Sequence, residues 1–507
     1  MRHAVFFQPA GAWVGDVIPW QEDGVFHLFY LHEQRRSPKP GTPWHLVTTR
    51  DLVHFDDEGL AFAAGEADAS DFNAYTGSIV RDSTGAHHLF YTGQNPRRLG
   101  DDGLPLQLVM HATSTDGMTT WQRHPEHTFG APDGYESADW RDPFVFRDDE
   151  AGLWRMLIAA RHVDGPERRR GVIAQCVSRD LATWEPAEPF WDPRRYITHE
   201  CPEVFQWGDW WYLVSSEFSE SFTTRYRMSR SLHGPWQVPT HDSIDGRAYY
   251  AAKSAERDGR RFFFGWIASR DGGRDDGAWR WAGTLSVLEA RQNADGTLAF
   301  GFPAESTGSF TADEAVAFDS ADSAEPAPVV GAPIPLRAPD GYRAVVSRDD
   351  LPDAFHAAVT FDIAPGTTEC GILLRASADG DEGYILRLEP KRGRMVFDRW
   401  PRPRTGDGQW EVSGDVPYVI ELERSCDLPP GRHTVELIVD GDLCVANLDG
   451  SVSLSTRLYD RPTGRLGLFV GEGAAIVNGC RVRTRREPEP VADPVGSGAL
   501  AAASATT

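Results

Sequence analysis

The chain is poor in the features that would staple, anchor or metallate a protein. Its six cysteines (176, 201, 370, 426, 444 and 480) are scattered over 507 residues. They form no CxxC pair and no zinc-like spacing, so no disulfide framework is indicated. No run of 18 or more apolar residues occurs, and the opening MRHAVFFQPAGAWVGDVIPW holds no apolar core of signal-peptide length. A membrane partner is therefore not expected, and a soluble cytoplasmic protein is. No histidines stand in an HExxH-like ligand set, and neither a metal nor another cofactor is expected. Positive charge is in deficit as well: 51 Lys+Arg against 75 Asp+Glu leave a net charge of −24. Such a surface repels polyanions, which argues against nucleic acid and acidic membranes as partners. Oligomeric state has no readable signature.

What is present is a repeat rich in aromatics. The chain holds 17 Trp, 26 Phe and 13 Tyr, suited both to a filled all-β core and to walls for sugar rings. Five segments share one grammar: a polar or acidic residue, a short apolar strand, a turn rich in Asp and Gly, and an aromatic-rich strand. They are GDVIPWQEDGVFHLFYL from Gly15, TGSIVRDSTGAHHLFYTG from Thr76, RDPFVFRDDEAGLWRMLIAAR from Arg141, ECPEVFQWGDWWYLVSS from Glu200, and YYAAKSAERDGRRFFFGWIAS from Tyr249. The turns Glu22-Asp23-Gly24 and Trp207-Gly208-Asp209 suit hairpins. Between the hairpins, segments such as LVTTRDLVHF (46–55) and AQCVSRDLATW (174–184) add further strands. Each unit is about four strands, recurring every 50 to 65 residues or so, which predicts a five-bladed β-propeller over 1–305.

Beyond residue 305 the texture changes. A small, acidic, Pro-containing stretch (306–335) reads as a linker or surface segment. Alternating strands over 336–485, among them CGILLRASA and HTVELIVDGDLCVANLDG, read as a β-sandwich. Residues 486–507 carry no core-forming pattern and are expected to be disordered.

The repeat also indicates where chemistry belongs. Asp16, Ser78, Asp142, Glu200 and Tyr250 fall at or near the start of the first strand of successive units, and in a propeller those strands surround the central channel. Three of the five are carboxylates. Hydrolysis of an acetal by the retaining route needs an acid for the departing oxygen and a carboxylate on the other face, about 5–5.5 Å away. Asp16 and Glu200, starting the first and fourth units, are placed to face each other. Asp142, flanked by Arg141, adds a charge that helps hold them in different protonation states.

The order GD (15–16), RDP (141–143) and ECP (200–202) resembles family 32 of the glycoside hydrolases, the invertase, inulinase and levanase group. HLFY (27–30), DLVHF (51–55), YTGS (75–78), DGRAYYAAK (245–253), GWI (265–267) and WAGTLS (281–286) extend the likeness along the chain. The resemblance implies a hydrolase of β-fructosides with a small-molecule carbohydrate as substrate. It implies Asp16 as nucleophile, Glu200 as general acid/base, and Asp142 as transition-state stabiliser oriented by Arg141. Trp44, Tyr75, Thr76, Cys201, Asp245 and Trp281 match that family's sugar-subsite lining. The chain departs from the family at two points. Gly15-Asp16-Val17-Ile18-Pro19 stands where Asn-Asp-Pro-Asn-Gly is usual, and Leu31 stands where a glutamine usually follows HLFY. A fructosyltransferase, an arabinofuranosidase-like enzyme and a non-catalytic carbohydrate-binding protein are the alternatives.

Overall fold

The computed structural model describes residues 3–321, 327–401 and 422–485. Asp-Gly pairs set the hairpins. Asp23-Gly24 and Asp258-Gly259 are both left-handed at each position, the backbone that a tight two-residue turn between twisted strands demands. Four strands then follow one another in four of the five blades. Blade I is Trp13–Glu22, Val25–Glu33, Trp44–Thr49 and Asp56–Phe62. Blade II is Asn73–Arg81, His87–Leu99, Pro105–Ser114 and Gln122–Arg123, and blade III is Tyr135–Asp148, Leu153–His162, Gly171–Ser178 and Glu185–Trp191. Blade IV has three strands, Glu200–Trp207, Trp210–Glu217 and Thr223–Ser229. Its outer edge makes only isolated bridges, Met228 to Gln237 and Arg225 to Ser243, where Pro235 and Pro239 remove N–H donors. Blade V is Tyr249–Arg257, Arg260–Arg270, Trp279–Gln292 and Leu298–Gly301.

The ring closes between blades V and I. Val14 pairs with Gly283, and the Phe7 backbone bonds Leu285 in both directions at 3.3 and 2.9 Å. Hydrophobic clusters fill the joints between neighbouring blades. Phe26 of blade I packs against Phe262 and Phe264 of blade V, and Phe62 meets Tyr91 across the joint between blades I and II. Much of the aromatic excess is core of this kind, each such ring contributing about 1.5–3 kcal/mol of burial.

A β-sandwich follows the propeller. Its organiser is the 20-residue strand Arg465–Thr484, whose first half pairs with Glu369–Ala376 and whose second half pairs with Ala354–Ile363. Gly471, Glu472 (φ 45°) and Gly473 mark the change of partner. The stretch expected to be a linker is partly ordered into the sheets: Ala312–Glu314 pairs with the long strand, and Phe318–Ser320 pairs with Ile334–Ser347. The expected disordered tail, 486–507, lies outside the described residues. All six cysteines are free thiols. Among the described residues no helix is long and apolar enough to cross a membrane.

Candidate active site

Each of the five inner strands carries a β-bulge at the channel end. On blade I three residue steps, Val14 to Val17, oppose two from His32 to Tyr30; the surplus falls at Gly15-Asp16. The same irregularity lies at Thr76 on blade II, at Asp142-Pro143 on blade III, at Cys201-Pro202 on blade IV and at Ala251-Ala252 on blade V. Asp142, Cys201 and Ala251 take left-handed backbone at φ 58°, 50° and 53°. That conformation costs a side-chain-bearing residue about 1–2 kcal/mol. In return a bulge re-aims the side chain beside it, and here it turns the acidic residues toward the channel.

Three carboxylates meet there. Asp16 Oδ1 accepts the indole N–H of Trp266 at 3.2 Å. Glu200 is held at both oxygens, Oε1 by the Arg141 guanidinium at 3.0 Å and Oε2 by the Tyr250 hydroxyl at 2.6 Å. Asp142 is 4 % exposed. Its carboxylate accepts the Cys201 backbone N–H at 2.9 Å, and its own N–H donates to Thr92 Oγ1 at 2.8 Å. Arg141 also binds Asp139 and Gln107.

Burial pushes the Asp16 carboxyl up to about 7, reinforced by the nearby charges of Asp142 and Glu200 and opposed by the Trp266 N–H and Lys253. Burial raises Glu200 above the usual carboxylate range, against the pull of Arg141. Burial alone would lower the Arg141 guanidinium, but Asp139, Glu200 and Asp142 hold it firmly charged. Burial and mutual repulsion thus favour the protonated form at both Asp16 and Glu200.

The lining residues divide. Tyr75 is half-buried on the Asp16 side, and Trp281, 36 % exposed, stands as an open aromatic face 6.3 Å from the Trp266 ring. Arg141 and the backbone of Cys201 join the carboxylates; the Cys201 thiol is buried, and burial pushes it up, out of nucleophile range. Trp44, Thr76 and Asp245 correct the sequence expectation. Trp44 is fully buried in the joint between blades I and II, its indole N–H donating to the Ala74 and Tyr75 carbonyls at 3.0 and 3.2 Å. Thr76 is fully buried at its bulge. Asp245 is 1 % exposed and faces the sandwich, accepting from the Ser455 N–H at 2.8 Å and its hydroxyl at 2.7 Å. Ser78 accepts the Val145 N–H at 2.9 Å and serves the joint between blades II and III.

Sequence reasoning gave no role to three residues that shape the centre. Tyr250 holds Glu200, Trp266 holds Asp16, and buried Lys253 places a cation near Asp16 while its Nζ donates to the Gly77 carbonyl at 2.7 Å. Tyr250 and Lys253 both lie in AYYAAK and Trp266 in GWI, so their register at the channel end was the available signal.

The two departures from the family pattern meet at one spot. A Cβ on Gly15 would lie 2.6 Å from the Trp281 ring and 3.0 Å from Leu31 Cβ. Trp281 is fixed there by Arg35, which donates to its carbonyl at 2.7 Å and to Ser269 Oγ at 2.8 Å. An apolar wall of Gly15, Leu31 and Trp281 thus occupies the place of the two missing amides. Gly15→Asn is expected to destabilise the fold by about 1–3 kcal/mol through overpacking, read as a lower denaturant midpoint. Trp281→Ala in the same chain should recover most of that loss.

Residues 6–296 match the N-terminal domain of glycosyl hydrolases family 32. An insoluble-isoenzyme β-fructofuranosidase of Arabidopsis thaliana is 26% identical over 211 residues, an alignment covering 40% of this chain and 34% of that protein. The chain thus spans about a third of that relative. Against a sucrose-6-phosphate hydrolase of Zymomonas mobilis it is 24% identical over 498 residues, covering 89% of this chain and 86% of that protein. The crystal structure of fructan 1-exohydrolase IIa from Cichorium intybus superposes with a TM-score of 0.72 at 16% identity, covering 96% of this chain and 97% of that one, so the two share a fold. With more than half of the chain in the family match, and the bulged carboxylates inside it, the protein belongs to glycosyl hydrolases family 32.

Proposed function

We propose that the chain is a retaining β-fructosidase with its chemistry in residues 1–305 and a supporting sandwich in 336–485. Asp16 attacks the anomeric carbon to form a fructosyl-enzyme. Glu200 protonates the departing oxygen, then takes a proton from the water that releases fructose. Asp142 holds ring hydroxyls and offsets the oxocarbenium charge of the transition state. The observation that carries this reading is the difference in environment between Asp16 and Glu200. Asp16 accepts an indole N–H and sits among negative charges, whereas Glu200 is positioned at both oxygens by a phenol and a guanidinium, with burial raising it against their pull.

Fructo-oligosaccharides are the proposed substrates in preference to sucrose. Trp281, packed over buried Gly15 and Leu31, gives an open aromatic face for a sugar ring where two amide hydrogen bonds would otherwise form. One unmade hydrogen bond corresponds to about tenfold in affinity or rate. The test is fructose release from sucrose, kestose, inulin, levan and difructose anhydrides. Release from kestose or inulin with kcat/KM at least about tenfold above sucrose is expected. Release from none of them by folded protein overturns the fructosidase reading, and a preference for sucrose overturns the role of the apolar wall.

A further inference from the structure

On the outer half of blade II, four imidazole and carboxylate side chains continue one another in a line. Asp82 Oδ2 lies 3.3 Å from His88 Nε2, His88 Nδ1 lies 3.0 Å from His111 Nε2, and His111 Nδ1 lies 2.9 Å from His127 Nδ1. His111 is 3 % exposed and stacks on Phe90 at 4.3 Å, so burial favours neutral rings in the interior of this line. Asp82 accepts only, which fixes the direction of every proton. His88 donates to Asp82 and accepts from His111, and His111 accepts the Nδ1–H of His127. The Nε2 lone pair of His127 is then directed outward, and it lies 4.0 Å from Glu126 Oε1. His124 reaches the same point from the other side. Its Nε2 sits 2.8 Å from Thr113 Oγ1, and its Nδ1 sits 3.3 Å from Glu126 Oε1.

Three groups able to ligate a metal therefore converge: His124, Glu126 and His127 each offer one ligand atom, and these atoms all lie within 4.8 Å of one another. Donors about 2.0–2.1 Å from a tetrahedral ion stand about 3.3–3.4 Å apart. The His124 to Glu126 separation of 3.3 Å already has that value, and His127 Nε2 stands 4.0 Å from the same carboxylate oxygen. Both imidazoles also carry the outer support typical of metal-binding histidines, a hydrogen bond at the remote ring nitrogen to Thr113 or His111.

We propose that His124, Glu126 and His127 form a binding site for a borderline divalent transition-metal ion, with Zn²⁺ as its probe and solvent completing the coordination. The site lies away from the fructoside chemistry. His88 pairs with Val80, near the end of the inner strand opposite Tyr75. The ion clamps the turn Pro125–His127 to the strand Pro105–Ser114 through His111, and its effect is on stability rather than turnover.

The experiment uses the full chain without any affinity tag, stripped with a chelator and titrated with Zn²⁺ by equilibrium dialysis, with thermal unfolding in parallel. One saturable equivalent is expected, with the unfolding midpoint raised by about 2–4 °C. His127→Gln and His124→Gln should lose that equivalent, while His54→Gln, at an exposed histidine, should keep it. Because Glu126 is exposed, Glu126→Gln will fold normally and should weaken binding at least about tenfold. Absence of a saturable equivalent in the wild type overturns the site, and so does unchanged binding by folded Glu126→Gln and His127→Gln.

Discussion

Asp16→Asn is expected to abolish fructose release while making the folded protein more stable at neutral pH. The loss follows from the proposed nucleophile, because an amide cannot attack the anomeric carbon; a drop in kcat on the order of 10⁴ or more is expected. The stabilisation follows from the raised carboxyl. In the unfolded chain an Asp ionises near its ordinary value of 3.8, whereas in the folded chain Asp16 does so at about 7. The folded state thus holds the proton more tightly. As pH rises through this window the native state loses stability relative to the unfolded state, and above pH 7 the cost is fully present. Asparagine carries no charge and avoids it. The expected gain is of order 1–3 kcal/mol above pH 7, vanishing below pH 4, after allowance for solvent at the open channel. Chemical denaturation of both proteins at pH 4 and pH 8 measures it. Turnover retained by the variant would remove Asp16 from the reaction, and equal stability at pH 8 would remove the burial argument.

Glu200→Gln is expected to separate the two halves of the reaction. Glutamine preserves the shape that Tyr250 and Arg141 hold, but it has no proton to give. For an oligofructoside, whose leaving group needs that proton, kcat should fall by about 10²–10⁴. For an activated aryl fructoside the leaving group departs unaided, so the fructosyl-enzyme still forms and accumulates as a burst. Azide, which needs no general base to attack, should then release the enzyme as fructosyl azide. The pH profile supplies a further check. Burial raises Glu200 from its ordinary value, so the alkaline limb of wild-type activity should be shifted upward from that of a free carboxyl and disappear in the variant. Equal losses on both substrates with no azide effect would leave Glu200 as an orienting group only.

The limits of sequence reading appear at particular residues. Blade count was legible because each inner hairpin repeats a polar start, an apolar strand and an aromatic return. The places of Asp16, Asp142 and Glu200 at the channel followed from that register alone. Thr76 was not legible because the bulge at its own position resets which face a side chain takes, and Trp44 was not because a register shift falls directly after it on the third strand of blade I. Asp245 was misplaced for another reason: its partner, Ser455, lies 210 residues away and in the sandwich. Gly15 looked like a motif that had lost its amide, and only the Trp281 ring above it explains why a side chain has no room.

By itself the sequence determined the five-bladed architecture, the following sandwich, the family pattern and the identity of three carboxylates. These depend on local periodicity and on residue types at fixed offsets, which a linear chain carries openly. The tertiary structure decided the rest. It decided that burial lifts the Asp16 and Glu200 carboxyls, which aromatic faces remain open, and how histidines from separate segments of blade II line up. Burial, charge and hydrogen-bond direction are sums over space, and strands far apart in the chain contribute to them equally with near neighbours.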